Sequence, residues 1–362
     1  MPCYITRTGS FLPGSPVPNE SIEQFLGSLD GEAEVKKQIL GMNGILSRHY
    51  AQQGNQIATH SIYELGALAI QDCLQNVRSA SPIGMLAAGT TFAPLSGPGI
   101  GSLLHSQAQS MGLLPQPLEI ASHSGICTSA AAAIVAGYRA LELGIHQGCV
   151  CVGAEHASEI LKSSVIQPID DRAEHALLRN SQWFMSVFLR FMLSDGAGAM
   201  LLESKPLQDE VSWKIDWTHS MSFANEAPLC MKLDNSNRLL SQDVSILSRF
   251  LFSMGRKFID DALSRHAEKL DSYQCVLPHL SSFFFRRKME RILSELSANP
   301  EHPVPYWTNL ATAGNTGAAS IFIMLDHFVK SHRSNHGDRV LLFIPESGHF
   351  NFVLISLTAV VA

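Results

Sequence analysis

The stretch Ser122–Gly144, SHSGICTSAAAAIVAGYRALELG, sets one cysteine, Cys127, at the mouth of an alanine-rich helix. A thiol there feels the positive end of the helix macrodipole and the unpaired N–H groups of the first turn, and both favour the thiolate. The same N–H groups supply a donor for the oxyanion that forms when the sulfur attacks a carbonyl. Gly125, Thr128, Ser129 and Ala130 are small and let a long substrate approach. The pattern predicts a nucleophile that carries an acyl group; the plain alternative is a small buried core cysteine. Two other places favour the nucleophile. In CVLPHLSS an apolar strand ends in Pro278-His279, which puts the imidazole at a strand's carboxyl end, where α/β proteins build their sites. In NLATAGNTGAAS a glycine-rich turn presents Asn315 and opens a small-residue helix. A Cys, a His and an amide on three such turns make a constellation for acyl chemistry. His123 precedes the helix, so i, i+4 geometry does not link it to Cys127, and it is read as a loop or pocket-lining residue.

The elements that must position these residues follow an alternating order. Ile83–Thr91, Gly148–Glu155 and Phe191–Ser204 read as buried strands bounded by glycine, and a helix runs from about Ser129 to Gly144, ended by that glycine. Ser61–Asn76 is a second helix, with Ser61 as N-cap and Glu64 as its capping-box partner. Around Lys205–Trp217 the pattern restarts: a strand in SWKIDWTHS, a helix over Ile246–Arg265, a strand in YQCVLPHL, a helix over Phe285–Ser297 and a closing hairpin. Strands alternating with helices predict an α/β layer structure, and the repeated order suggests duplication without residue-level repeats. Ile169–Arg190 reads as an insertion ahead of the last strand of the first half, either covering a pocket or forming an ordinary surface helix.

Composition narrows the partners. The chain has 362 residues, 46% hydrophobic and 16% charged, with a net charge of −6. Apart from Phe285–Lys288, FRRK, no basic stretch exists to bind nucleic acid. No apolar run approaches the roughly 18 residues of a membrane helix, and Phe350–Ala362 reads as a buried strand. No secretory leader is expected at MPCYITRTGSFLPG. Seven cysteines in such a chain suggest free thiols in a reducing cytoplasm. Cys149 and Cys151 share one face of a strand, but no second pair at finger-like spacing accompanies them, so no metal site is expected.

Taken in order, YITRTGSFLPG (Tyr4–Gly14), NGILSRHYA (Asn43–Ala51), the Cys127 turn, SDGAGAMLL (Ser194–Leu202), PHLSS (Pro278–Ser282), GNTGAAS (Gly314–Ser320) and GDRVLLFIPESGHF (Gly337–Phe350) resemble the β-ketoacyl-acyl carrier protein synthase III group of the thiolase superfamily over nearly the whole chain. The resemblance implies a thiolase-like, duplicated five-layer αβαβα fold. Residues 1–204 would form the half with the nucleophile, and residues 205–362 the half with the histidine and asparagine. It implies a cytoplasmic homodimer that uses acyl carrier protein or coenzyme A thioesters, with no metal or organic cofactor. Cys127 would hold the acyl group, with backbone N–H groups of Cys127 and of Ser347 or Gly348 at the oxyanion. His279 and Asn315 would hydrogen-bond the carbonyl of the second thioester and favour the enolate left when a malonyl-type extender loses carbon dioxide. Ser282, His123 and Phe184 are assigned to substrate binding. Ser282 stands where the family has Asn, and Gln38 and Met42 stand near its coenzyme A-gripping Trp and Arg, which tilts the expectation towards carrier-protein substrates. These departures look like the branch that joins two fatty-acyl-type thioesters into cyclohexanediones, the precursors of dialkylresorcinols. An acyltransferase to an alcohol or amine, and a non-catalytic partner subunit, are the alternative readings.

Overall fold

The computed structural model describes residues 1–29, 32–75, 81–166, 182–234 and 238–362. Its centre is a nine-stranded mixed sheet in the order Cys275–Pro278, Arg339–Pro345, Asn351–Val361, Val211–Ser222, Tyr4–Phe11, Gly196–Glu203, Gly148–Glu155, Ile83–Thr90, Glu119–Ser124. The order contains the same pattern twice. Tyr4–Phe11 runs antiparallel to Gly196–Glu203, which is antiparallel to Gly148–Glu155, which is parallel to Ile83–Thr90. Val211–Ser222, Asn351–Val361, Arg339–Pro345 and Cys275–Pro278 repeat those relations. The two sets meet at Tyr4 opposite Lys214 and Ile5 opposite Trp213.

Layering follows from alternation, because successive side chains of a strand point to opposite faces. Cys149, Cys151, Met200 and Leu202 from the first set, and Leu342, Val353 and Ile355 from the second, pack on the same two helices, Ser129–Glu142 and Ser320–Ser331. The intervening residues Val150, Val152 and Leu201 face the helices Ile62–Leu74 and Ile100–Ser110. Leu341, Phe343 and Leu354 face Val244–Arg265 and Arg286–Leu296. Helix, sheet, helix, sheet, helix is therefore the layer order, duplicated as the resemblance implies. The first of these central helices, Ser129–Glu142, is rich in alanine and small residues because both its sides are covered.

Local signals placed several elements closely. Ser61 caps Ile62–Leu74: its hydroxyl accepts from Glu64 N at 3.2 Å, and Glu64 Oε2 accepts from Ser61 N at 2.7 Å. Ser61→Ala leaves a helix donor unpaired and is expected to cost about 1 kcal/mol, read as a lower urea midpoint at unchanged slope. Gly144, at φ +72°, follows the helix Ser129–Glu142 in the left-handed conformation glycine accepts most readily.

Two expectations change. The strand read as Phe191–Ser204 begins only at Gly196. Residues 191–195 instead make a turn whose Leu193 bridges Asn315, so the apolar run there serves packing of a loop rather than a ladder. His123 is not in a loop: it lies on the strand Glu119–Ser124, opposite Gly89. That edge strand is half-exposed and polar, which hid it from a search for apolar runs. Of the expected insertion Ile169–Arg190, only the helix Gln182–Arg190 falls among the described residues.

Candidate active site

Parallel strands deliver the site at their carboxyl ends. Ile83–Thr90 leads into Thr91, Gly148–Glu155 ends on Glu155, Cys275–Pro278 leads into His279, and Arg339–Pro345 leads into Glu346 and Ser347. Cys127 enters from the turn before the helix Ser129–Glu142, with Thr128 as the residue preceding the helix. Two small cavities meet at this cysteine. One, about 50 Å³, is lined by Cys127, Asn315, Glu155, Gly317, Met192 and Met231 among others. The second, about 30 Å³, is lined by Cys127, His279, Phe343 and Leu280 among others. Cys127, Ser281 and Ser347 belong to both walls.

The cysteine is half-buried and its thiol is held well above its ordinary range. Burial is the largest cause, followed by the carboxylates of Glu346 and Glu155, against a smaller lowering by its own backbone N–H. This corrects the expectation of a helix-start thiolate. The helix begins two residues after the sulfur, and a desolvated anion beside two acids costs more than the helix end returns. Acylation of Cys127 therefore needs a proton acceptor.

His279 is buried, and its backbone N donates to Phe343 O at 2.8 Å. Among the described residues neither ring nitrogen has a partner. Burial lowers it to about 4, so the ring is neutral near pH 7 and offers one N–H to a ligand. Asn315 is tied at its backbone: its N donates to Met192 O at 3.1 Å and its O accepts from Ser194 N at 2.9 Å. Its Oδ1 accepts from Gly317 N at 3.0 Å. Because a backbone N–H must meet an oxygen, that bond fixes the amide orientation and leaves the NH₂ to donate.

Glu155 and Glu346 were not singled out from the sequence. Glu155 Oε1 accepts from Thr91 N at 2.8 Å and Ala318 N at 3.1 Å, and burial pushes its carboxyl up to about 7. Glu346 accepts from Thr128 Oγ1 at 2.7 Å and from His349 N at 3.0 Å, and Asn351 Nδ2 donates to Thr128 Oγ1 at 3.0 Å. The rule that pointed to His279, a polar residue closing an apolar strand, applies equally to VCVGAE and LLFIPE.

The remaining expected residues divide. Ser347 lines both cavities. Gly348 packs so tightly that a Cβ would stand 2.8 Å from Ile126 Cγ1, which brings this loop against the residue before Cys127. Ser282 turns its hydroxyl to Phe284 N at 3.2 Å, capping the turn Phe283–Phe285, and its neighbour Ser281 lines the cavities instead. His123 lines a different space, a cleft of about 540 Å³ that shares Thr91 and Phe92 with the first cavity. The Phe184 side chain lies outside the described residues. Gln38 and Met42 are exposed on the helix Glu32–Asn43. Among the described residues no group of three or more His, Cys, Asp or Glu is placed to hold a metal ion, and no helix is long and apolar enough to cross a membrane.

The family described as 3-oxoacyl-[acyl-carrier-protein (ACP)] synthase III C terminal matches residues 263–348. The β-ketoacyl-[acyl-carrier-protein] synthase III of Neisseria gonorrhoeae is 22% identical over 340 residues, which cover 93% of this chain and 93% of that protein. In three dimensions, the 3-oxoacyl-[acyl-carrier-protein] synthase III of Aquifex aeolicus superposes with a TM-score of 0.72 at 19% identity, over 99% of this chain and 100% of that one. AbyA1, a tetronic acid condensing enzyme, superposes with a TM-score of 0.76 at 17% identity over 99% of each chain. The chain is thus similar to β-ketoacyl-[acyl-carrier-protein] synthase III sequences over nine-tenths of its length and shares the fold of the synthase III structures over nearly all of it.

Proposed function

We propose that the chain is an acyl-thioester condensing enzyme that forms a carbon–carbon bond through an acyl-Cys127 intermediate. The observation that carries this reading is the position of Cys127 on the wall between two cavities, one holding Asn315 and the other the unpartnered His279. Sγ attacks the first thioester, the backbone N–H of Cys127, with one from Ser347 or Gly348, holds the tetrahedral oxyanion, and as the C–S bond to the carrier breaks the Cys127 proton passes to the departing sulfur, which leaves as the free thiol. The neutral His279 N–H and the Asn315 NH₂ then donate to the carbonyl oxygen of the second thioester, where negative charge develops as its enolate forms. The enolate carbon attacks the acyl carbonyl and Cys127 leaves.

In this reading residues 1–204 supply the nucleophile and residues 205–362 the enolate donors, in a cytoplasmic homodimer fed by acyl carrier protein or coenzyme A thioesters. The cavities hold only a few water molecules, so a long acyl chain enters by displacing adaptable side chains such as Met192 and Met231. The departures at Ser282, Gln38 and Met42 favour the branch that joins two fatty-acyl-type thioesters, with a cyclohexanedione or dialkylresorcinol-type product.

The test uses octanoyl-N-acetylcysteamine, which bypasses carrier recognition. Intact-mass spectrometry is expected to find one octanoyl group on the native chain and none on Cys127→Ala. An unmodified native chain, or an adduct that survives the substitution, rules the mechanism out.

A further inference from the structure

We propose that Glu155 is a further catalytic residue of this site, the base that takes the α-proton of the second thioester, and that the second substrate is an acyl thioester with an ordinary α-C–H rather than a malonyl one. This rests on the acyl-Cys127 reading above and deepens it.

Glu155 shares the cavity of Cys127 and Asn315, the place where the α-carbon must lie when its carbonyl meets the Asn315 amide. Its carboxyl is held from two sides, by Thr91 N and Ala318 N on Oε1. The backbone closes over it at Gly317, φ +52°, where a Cβ would stand 3.1–3.2 Å from Glu155 Cγ, Cδ and Oε1. A carboxylate fixed in this way beside the reacting carbon is preorganised for proton transfer. Of the other groups in the two cavities, none does the task as well. The Cys127 thiol carries the acyl group, the Asn315 amide does not titrate, and His279 is a weak base that serves as donor. The carboxyl of Glu155, with Asp195 as the other acid acting on it, titrates near neutral pH, which suits a general base.

Charge points to the same substrate. Two acids, Glu155 and Glu346, flank Cys127, and among the described residues lining either cavity there is no Lys or Arg. A malonyl carboxylate would meet like charge and no counter-ion there, whereas an unsubstituted acyl chain suits the apolar walls.

The step balances without a co-reactant. The α-C–H bond breaks, its proton passes to Glu155, and its electron pair forms the enolate. The enolate carbon bonds to the acyl carbon, the C–S bond to Cys127 breaks, and the proton held by Glu155 returns to the sulfur. The product is a β-ketoacyl thioester, with no loss of carbon dioxide.

Glu155→Gln separates the roles. With octanoyl-N-acetylcysteamine, the variant is expected to acylate Cys127 as the native chain does, by intact mass, but to lose condensation by roughly 10²–10⁴-fold. With malonyl-N-acetylcysteamine as second substrate, decarboxylation makes the enolate without a base and the variant lacks one repelling carboxylate, so the octanoyl-primed variant should condense at least as fast as the native chain. Equal octanoyl condensation by both chains, or equal loss with both second substrates, overturns the proposal. Acyl-Cys127 formation reports a folded site in the variant. Should Glu155→Gln fail to acylate, Glu155→Asp is measured instead, with a tenfold or greater loss confined to octanoyl condensation supporting the proposal and any other pattern overturning it. Absence of acyl mass on the native chain sinks the acyl-enzyme reading itself, and this proposal with it.

Discussion

His279→Ala is expected to leave acylation of Cys127 close to native and to slow condensation by roughly 10²–10³-fold, the range for removing one donor aimed at developing oxyanion charge. The variant should therefore accumulate acyl-enzyme in intact-mass spectra while product formation falls. Both ring nitrogens are buried and unpartnered, an arrangement that costs stability unless a ligand completes it. In the proposed mechanism the imidazole spends that cost on the enolate oxygen. Because burial lowers its pKa to about 4, the ring is uncharged from pH 5.5 upward, and its contribution should be flat across neutral pH. A rise of the condensation rate through about pH 7 then belongs to Glu155, whose ionised form is the base. If His279→Ala blocks acylation and condensation equally, the imidazole acts on the thiol instead, and its assignment to the enolate fails.

Gly89→Ala should be nearly as damaging although residue 89 touches no substrate. A Cβ there would lie 2.4 Å from Ser129 O and 2.5 Å from Ala130 Cα, inside the backbone of the helix that follows Cys127. These are rigid atoms, so the helix start must move away from the strand Ile83–Thr90. Overpacking of this kind costs roughly 1–3 kcal/mol. A displacement of about 1 Å at a nucleophile costs on the order of 10²-fold in rate. The rate of acyl-Cys127 formation and the thermal midpoint should both fall. Gly41→Ala, at a helical position with nothing within 4 Å of the new carbon, is the control and should change neither for the worse. Native acylation by Gly89→Ala would mean that the strand does not set the position of the cysteine.

Local chemistry made much of this chain readable in one dimension. The Ser61–Glu64 capping box, the helix from Ser129 and the glycine beyond its end depend on neighbours three or four residues away, and the structure keeps them. The strand ending at Glu155 was equally plain, since eight buried residues in a row admit little else. The edge strand at His123 was not, because half its residues face outward and its stability comes from pairing with Ile83–Thr90. The turn at 191–195 misled for the opposite reason: apolar residues there pack around Asn315 rather than extend a ladder.

At the site itself, the residue types and their turns nominated Cys127, His279 and Asn315, since nucleophile, imidazole and amide each sat on a small-residue turn at an element's end. What the order of residues cannot carry is the field that distant segments impose on one another. The thiol lies 28 positions from Glu155 and more than 200 from Glu346 along the chain, yet those carboxylates and the burial they share reverse the pull of the helix end. Ionisation depends on solvation and on charges a few ångströms away, and only folding creates either; the chain alone named the chemistry, and the packed strand ends decided its protons.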